Sequence, residues 1–396
     1  MESFWVSLIE RESLLPRLFP DYTIVDCLIT ALRDSRTDKV PCTLKIRFRR
    51  APRSFPSELF LHLGGPVPAS TRHEASDIAV IASLQNVALS KNVMGALPRV
   101  LQLGRLNLED GSRLDYFCED CVPNTVSLDS VLGEISESDL SNIADAVVHG
   151  IFRRESYNLR IDSDEILSKL LNTPLNPVYD DGKSYGGWIG GPHLGYHNDT
   201  ASLLKRILEP PQARNTHNPL VYSMIACLDL DGFTHVVIDS TRYPDLEPIH
   251  LTSKDLKNLY TGSVLCHYAL HEPRNILVRK YGDQFQFVAI VGWKNAGFGP
   301  APLELGLLSS SRGNDCAWSR MFQSKAQSKA QTVLSKTDSG GKLLRAMMLV
   351  QQAIDRDTGR DSDGNPTGWS TEGADAPYAA NGLEKLEIDP PAFVGS

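Results

Sequence analysis

The chain has 396 residues, of which 41% are hydrophobic, and a formal net charge of −8 at pH 7. That balance allows a sizeable core but argues against a broad basic surface, so no nucleic-acid partner is expected. No run of 18 apolar residues marks a membrane-spanning helix, and seven cysteines spread through the chain suggest free thiols in a reducing compartment, with the cytoplasm as the expected location.

In chain order, residues 1–34 read as a helical extension broken at Pro16 and Pro20. Glu2, Glu10 and Glu12 among its apolar residues are unlike a secretory signal. Residues 35–125 read as a small strand-rich lobe. Thr43 to Phe48 alternates apolar and basic residues, Ser57 to Leu63 gives a second strand, and Glu74 to Leu89 has helical spacing. Pro98 to Leu103 and Leu114 to Cys118 resume strand character around the turn at Glu109-Asp110-Gly111. Residues 126–355 read as a larger helical lobe. Helical spacing covers Leu128–Leu132 and Leu140–Phe152, a long Gly-, Tyr- and His-rich loop covers Tyr179–Asn198, and a helix over Ser253–Gly262 ends on glycine. Strands at Ile276–Arg279 and Phe285–Val291 flank Tyr281-Gly282-Asp283. The tail, residues 356–396, is rich in Asp, Gly, Pro and Ala and reads as flexible.

Two constellations resemble metal or redox sites. Cys118-Glu119-Asp120-Cys121 lacks a second ligand pair for zinc, and its flanking acids would raise rather than lower a thiol pKa, so it reads as ordinary thiols. His193 and His197 are four apart, but Pro192 and the surrounding glycines disfavour a helix. No metal site and no cofactor are expected.

The most informative stretch is Leu265-Cys-His-Tyr-Ala-Leu-His-Glu-Pro-Arg-Asn-Ile-Leu-Val278, continued by Val291-Gly-Trp-Lys-Asn-Ala-Gly297. It resembles the active-site strip of the aminoglycoside phosphotransferase and choline kinase family, especially its fungal members. That pattern reads roughly H-G-D-L-H-x-x-N-I-L-V, then D-W-E-x-A-G. The resemblance implies an α+β, protein-kinase-like bilobal fold with a substrate cleft between the lobes. It also implies that an Asp of the first motif orients the acceptor hydroxyl, while an Asn and the Asp of the second hold magnesium. Asn275, His267, Leu270-His271, Trp293 and Ala296-Gly297 match. The two acids do not. The first position is Ala269, or Leu270 counted back from Asn275, and the second is Gly292. Lys294 replaces the acid after the tryptophan. The stretch Arg33–Pro41, where the family has a glycine-containing phosphate loop, has no glycine. The expected basic residue of the next strand falls near His62, with Glu74 as its helix partner.

Phosphoryl transfer rests on positioning and on metal charge. Loss of a general base alone costs on the order of 10²–10⁴ in rate. The site is more positive than the pattern by about four charges, and like charges ~4 Å apart repel by roughly 4 kcal/mol at an effective dielectric near 20. A divalent cation is therefore poorly held, with Glu272 the one nearby carboxylate that could substitute. Three functions follow. The first is a repurposed, phosphate-independent enzyme of fungal secondary metabolism, a cyclase, cycloaddition catalyst or isomerase acting on a small apolar metabolite. His267, Tyr268, His271 and Lys294 would be its catalytic groups. Asn275, Trp293, Tyr185, Trp188, His193 and Tyr196 would line its substrate site. The second is a noncatalytic pseudokinase scaffold with a protein partner. The third is a divergent ATP-dependent small-molecule kinase.

Overall fold

A computed structural model describes residues 2–20, 23–32, 42–49, 55–67, 77–90, 97–151, 189–192, 194–208, 223–230, 233–240, 243–306, 316–334 and 338–357. Two short helices, α1 (Glu2–Arg11) and α2 (Leu14–Leu18), precede a five-stranded antiparallel sheet. Its strands are β1 (Ile24–Leu32), β2 (Cys42–Phe48), β3 (Glu58–Leu63), β4 (Val100–Asn107) and β5 (Arg113–Asp120), in the order β1-β2-β3-β5-β4. Strand alternation gives this sheet two different faces. Cys42, Leu44, Ile46, Leu59, Leu61, Leu63 and Cys118 are buried on the outer face, where Trp5, Leu8, Leu14, Leu18 and Phe19 cover them. Each such side chain contributes about 1.5–3 kcal/mol when fully buried. Glu12 fastens this cover. Its carboxylate accepts the Glu109 backbone N–H at 2.9 Å and pairs with Arg11 and Arg17.

The inner face is half-open. Thr43, Lys45, Phe60 and His62 are only partly buried. The helix α3 (Asp77–Ser90) packs on the β5 side of this face, joining Phe117 to Ile78, Val80, Ile81 and Leu84. β1 corrects the expected boundary: the helical extension ends at Leu18, and Ile24–Leu32 is the first strand of the sheet. Ile24, Val25, Ile29 and Thr30 are β-branched, which favours the pleated conformation.

The second lobe begins with β6 (Val126–Ser127) and α4 (Glu137–Ile151). Leu140, Ile143, Ala144, Val147, Val148 and Ile151 bury one stripe of α4 in a core shared with Phe322, Ala326 and Ala330 of the helix Ala317–Val333. The helix Ser253–Thr261 has a capping box between Thr252 and Asp255 and stops at Gly262. Asp255 also accepts from Lys342 and Ser339, tying this helix to Ser339–Asp357.

Three small antiparallel sheets interleave with the helices of this lobe; one contains the expected strands at 276–279 and 285–291, and the strands of the other two are not among those expected. One joins β9 (Ser223–Leu230), β10 (Phe233–Ser240) and β11 (Ile249–Leu251) in the order β11-β10-β9. A second joins β7 (Ile189–Gly191), β8 (Gly195–His197), β12 (Ser263–Cys266) and β15 (Gly297–Pro300) as β12-β15-β7-β8. The third joins β13 (Ile276–Tyr281) and β14 (Gln284–Ile290) to β6. The end of the expected Tyr179–Asn198 loop is thus the β7–β8 hairpin, while its start lies outside the described residues. Glycines permit the β15–β7 contact: a Cβ at Gly297 would stand 2.2 Å from the Gly190 carbonyl oxygen. The class is α+β, with a strand-rich first lobe and a larger mixed second one. No helix among the described residues is long and apolar enough to cross a membrane. The tail beyond Asp357 lies outside the described residues.

Candidate functional site

β12 delivers the chain into the strip 267–275, and β14 delivers it to Gly292. Backbone bonds hold the two segments together: Val291 N–H donates to the Asn275 carbonyl at 2.9 Å, and Asn275 N–H donates to the Glu272 carbonyl at 3.0 Å. His267 is fully buried. Its Nε2 donates to the Val291 carbonyl at 2.9 Å, and its Nδ1 accepts the Ala269 N–H at 3.3 Å. Both ring nitrogens are therefore committed to backbone in one neutral tautomer. Burial, opposed by the Val291 bond, holds its pKa down at about 4. The Trp293 ring meets it edge-on at 4.9 Å.

Tyr268 has a left-handed backbone, φ 59°, and its side chain is buried against Gly299. Its hydroxyl has no hydrogen bond of good geometry. The turn is held by Glu304, a residue sequence reasoning missed. Glu304 lies on the short helix Ala301–Gly306, is 1% exposed, and accepts the His267 N–H at 2.5 Å and the Tyr268 N–H at 3.1 Å. Burial raises its pKa to about 7, against the lowering effect of those two N–H groups and of Cys266. The signal for it in the sequence is an acid between Leu303 and Leu305 in an otherwise apolar turn. Two more bonds fasten the strip: Trp318 Nε1 donates to the Leu270 carbonyl at 2.9 Å, and Ser319 Oγ donates to the His271 carbonyl at 3.0 Å.

Ala269 and Gly292 stand at the two positions where the family pattern has an acid. Ala269 is fully buried, and its carbonyl accepts the Asn275 Nδ2 at 2.8 Å. The small residue at 269 therefore lies inside the packed turn and lines no open cleft. Gly292 has φ 80° and ψ 40°. A Cβ there would lie 2.2 Å from Asn275 Oδ1, so the asparagine amide stands where a side chain at 292 would emerge. Glu272 is engaged by Arg274 at 2.7 Å and lies 3.4 Å from Asn275 Nδ2. Burial would raise the Glu272 pKa, but Arg274, Lys294 and His271 together bring it below the ordinary value. Magnesium, which the family pattern implies, needs hard oxygen ligands and negative charge. This donor set of one amide oxygen and one carboxylate already compensated by arginine does not fit it. Among the described residues, no group of three His, Cys, Asp or Glu could hold a metal ion.

The structure separates the expected site residues. His267, Tyr268, His271, Asn275 and Trp293 are buried together around the strip. His271 has a lowered pKa, with burial the largest cause. Lys294 is exposed. Tyr196 is exposed at the middle of β8, three strands across its sheet from β12 and so roughly 14 Å away at ~4.8 Å per strand. Tyr185, Trp188 and His193 lie outside the described residues, as do Arg33–Pro41 and Glu74. The partner of His62 is Glu119 of β5, at 2.9 Å. Cys118 and Cys121 are both pushed up to about 12, burial being the main cause, which leaves neither a reactive thiol.

No family model matches the chain, and no curated protein sequence matches it. Among solved structures, the GDP complex of wild-type aminoglycoside 2'-phosphotransferase-IIIa aligns over 90% of this chain and 94% of its own, with 11% identity and a TM-score of 0.45. Aminoglycoside phosphotransferase APH(4)-Ia aligns over 88% of this chain and 92% of its own, with 13% identity and a TM-score of 0.42. A gentamicin complex of APH(2")-IIa covers 87% of this chain and 86% of its own, with 10% identity and a TM-score of 0.35.

Proposed function

We propose that this chain is a degenerate, kinase-like relative of the aminoglycoside phosphotransferases that no longer transfers phosphate and instead binds a small apolar metabolite between its lobes. The observation that carries this reading is the Gly292–Asn275 juxtaposition. The amide occupies the space a metal-binding side chain would need, and the nearest carboxylate, Glu272, is bonded to Arg274. Phosphoryl transfer without a gripped cation loses its main source of charge stabilisation. Chemistry in such a cleft is phosphate-independent, of the cyclisation, cycloaddition or isomerisation kind, and works by holding a substrate in a reactive shape. Lys294 is exposed beside the strip, next to Trp293, and this reading assigns its ammonium to polarising a bound carbonyl.

A second reading, a noncatalytic scaffold with a protein partner, is favoured by a different observation. His267, Tyr268, His271 and Trp293 are buried, and both nitrogens of His267 bond to backbone. Thermal shift assays separate the readings. Stabilisation by terpenoid or polyketide intermediates, with none by ATP and magnesium, is the expected outcome. Stabilisation by ATP only when magnesium is present would overturn the proposal in favour of a working kinase. Indifference to both ligand classes would favour the scaffold.

A further inference from the structure

The half-open inner face of the first lobe holds a chain of polar side chains that the strip does not use. Thr43 Oγ1 lies 3.0 Å from His62 Nδ1, and His62 Nε2 lies 2.9 Å from Glu119 Oε1. Glu119 is 5% exposed, and its other oxygen accepts Gln85 Nε2 at 2.7 Å. Gln85 is itself anchored by donating to the Pro98 carbonyl at 2.9 Å. The His62 ring is stacked on Phe117 at 4.3 Å and 17°.

Each part of this arrangement has a chemical consequence. A carboxylate facing Nε2 keeps the imidazole proton on that nitrogen. The lone pair of Nδ1 is then directed at the Thr43 hydroxyl, which can donate to it. A hydroxyl bonded to a base, with the base oriented by a buried acid, is the general signature of an activated oxygen nucleophile. The strand pattern keeps it reachable: on β2 and β3, Thr43, Lys45, Glu58, Phe60 and His62 are partly exposed and Arg47 is exposed, alternating with buried residues. Lys45, paired with Glu58 at 2.9 Å, puts an ammonium on the same face. A network whose sole task was to tie α3 to the sheet would need only Gln85 and Glu119, and would not require a threonine hydroxyl on the imidazole's far side.

We infer that Thr43, His62 and Glu119 form an acyl-transfer relay on the inner face of the first lobe, taking small esters or thioesters. The Thr43 oxygen bonds to the acyl carbon while its proton passes to His62 Nδ1. The bond to the leaving alcohol or thiol breaks, and that group departs with the proton from His62. Water then bonds to the acyl carbon and gives a proton to His62. The Thr43–acyl bond breaks and the proton returns to the threonine, releasing a carboxylic acid. Glu119 stabilises the imidazolium in both halves.

The test uses the full chain with p-nitrophenyl acetate as substrate and diisopropyl fluorophosphate as trap, read by nitrophenol release, intact mass and peptide mapping. The expected result is slow ester turnover and one diisopropylphosphoryl group on Thr43. Thr43→Val should abolish both, and Thr43→Ser should retain them. His62→Gln should slow labelling by on the order of 100-fold, the usual scale of a lost general base. Glu119→Gln should slow labelling and move its pH profile, a change that a merely structural role would not produce. Thr43→Val keeps the side-chain shape, so it carries the test if the His62 variant does not fold. Absence of an adduct on Thr43, or labelling equally fast in folded His62→Gln, would overturn the inference. These outcomes are independent of the ATP and metabolite assays.

Discussion

The strip and the inner face of the first lobe both present histidines beside carboxylates, yet they use them in opposite ways. In the strip, His267 bonds only to backbone, and Glu304 accepts two backbone N–H groups. On the inner face, His62 bonds only to side chains, Thr43 and Glu119. Backbone partners fix a shape, because they cannot be exchanged without moving the chain. Side-chain partners pass protons between titratable groups and leave the backbone in place. The strip is thus fastened through its backbone, while the half-open sheet holds a histidine between two side-chain partners.

The sharpest way to break this contrast is to remove the fastener. Glu304→Ala leaves two buried N–H groups without an acceptor, each costing about 1–3 kcal/mol. Urea unfolding should show a loss of about 3 kcal/mol or more. A loss below about 1 kcal/mol would mean that the core alone holds the strip. Next in size is Gly292→Asp, which restores one acid of the family pattern. The left-handed backbone costs about 1–3 kcal/mol for a non-glycine residue, and the new Cβ collides with Asn275 Oδ1. We expect a loss of about 2 kcal/mol and, even combined with Ala269→Asp, no efficient ATP-dependent phosphorylation. Robust phosphotransfer by the double variant would break the account of the site. Trp318→Phe removes the donor to the Leu270 carbonyl and should cost about 1–2 kcal/mol by the same measurement.

The pH dependence of stability sharpens the comparison further. Glu304 has its folded pKa raised from 4.5 to about 7. The folded state therefore holds the extra proton between those values, and this contribution to stability falls as pH rises through them. His267 has its folded pKa lowered from 6.5 to about 4. There the unfolded state holds the extra proton, and stability falls as pH drops from 6.5 toward 4. The two slopes oppose one another where they overlap. Glu304→Gln removes the first and should leave a protein whose stability declines steadily as pH falls over that range. An equally flat profile in the variant would show that His267 is not the buried neutral group described. The smallest effect is expected at Lys294→Ala. This side chain is exposed, and its loss should change stability by no more than about 0.5 kcal/mol.

Much of the architecture was legible in the sequence. The alternation in Thr43–Phe48 and Ser57–Leu63, the stripe of α4, and Gly262 closing a helix all depend on neighbours a few residues apart. So does the absence of acids at 269 and 292. The short strands β7 and β15 were not legible, because glycine-rich segments become strands only when another backbone approaches closely enough to need them. Burial of the strip was also hidden, since a motif lists residue types and not what covers them.

By itself the sequence determined the strands β2 to β5, the helix α4, the class, and that no acid stands at 269 or 292. Periodicity, capping and residue identity are local properties. Only the tertiary structure decided which histidine faces backbone and which faces a base's partner, because those partners come from far along the chain. Glu304 lies 37 residues from His267, and Glu119 lies 57 from His62. Burial and hydrogen bonding set what a side chain can do, and both are settled only when distant segments pack.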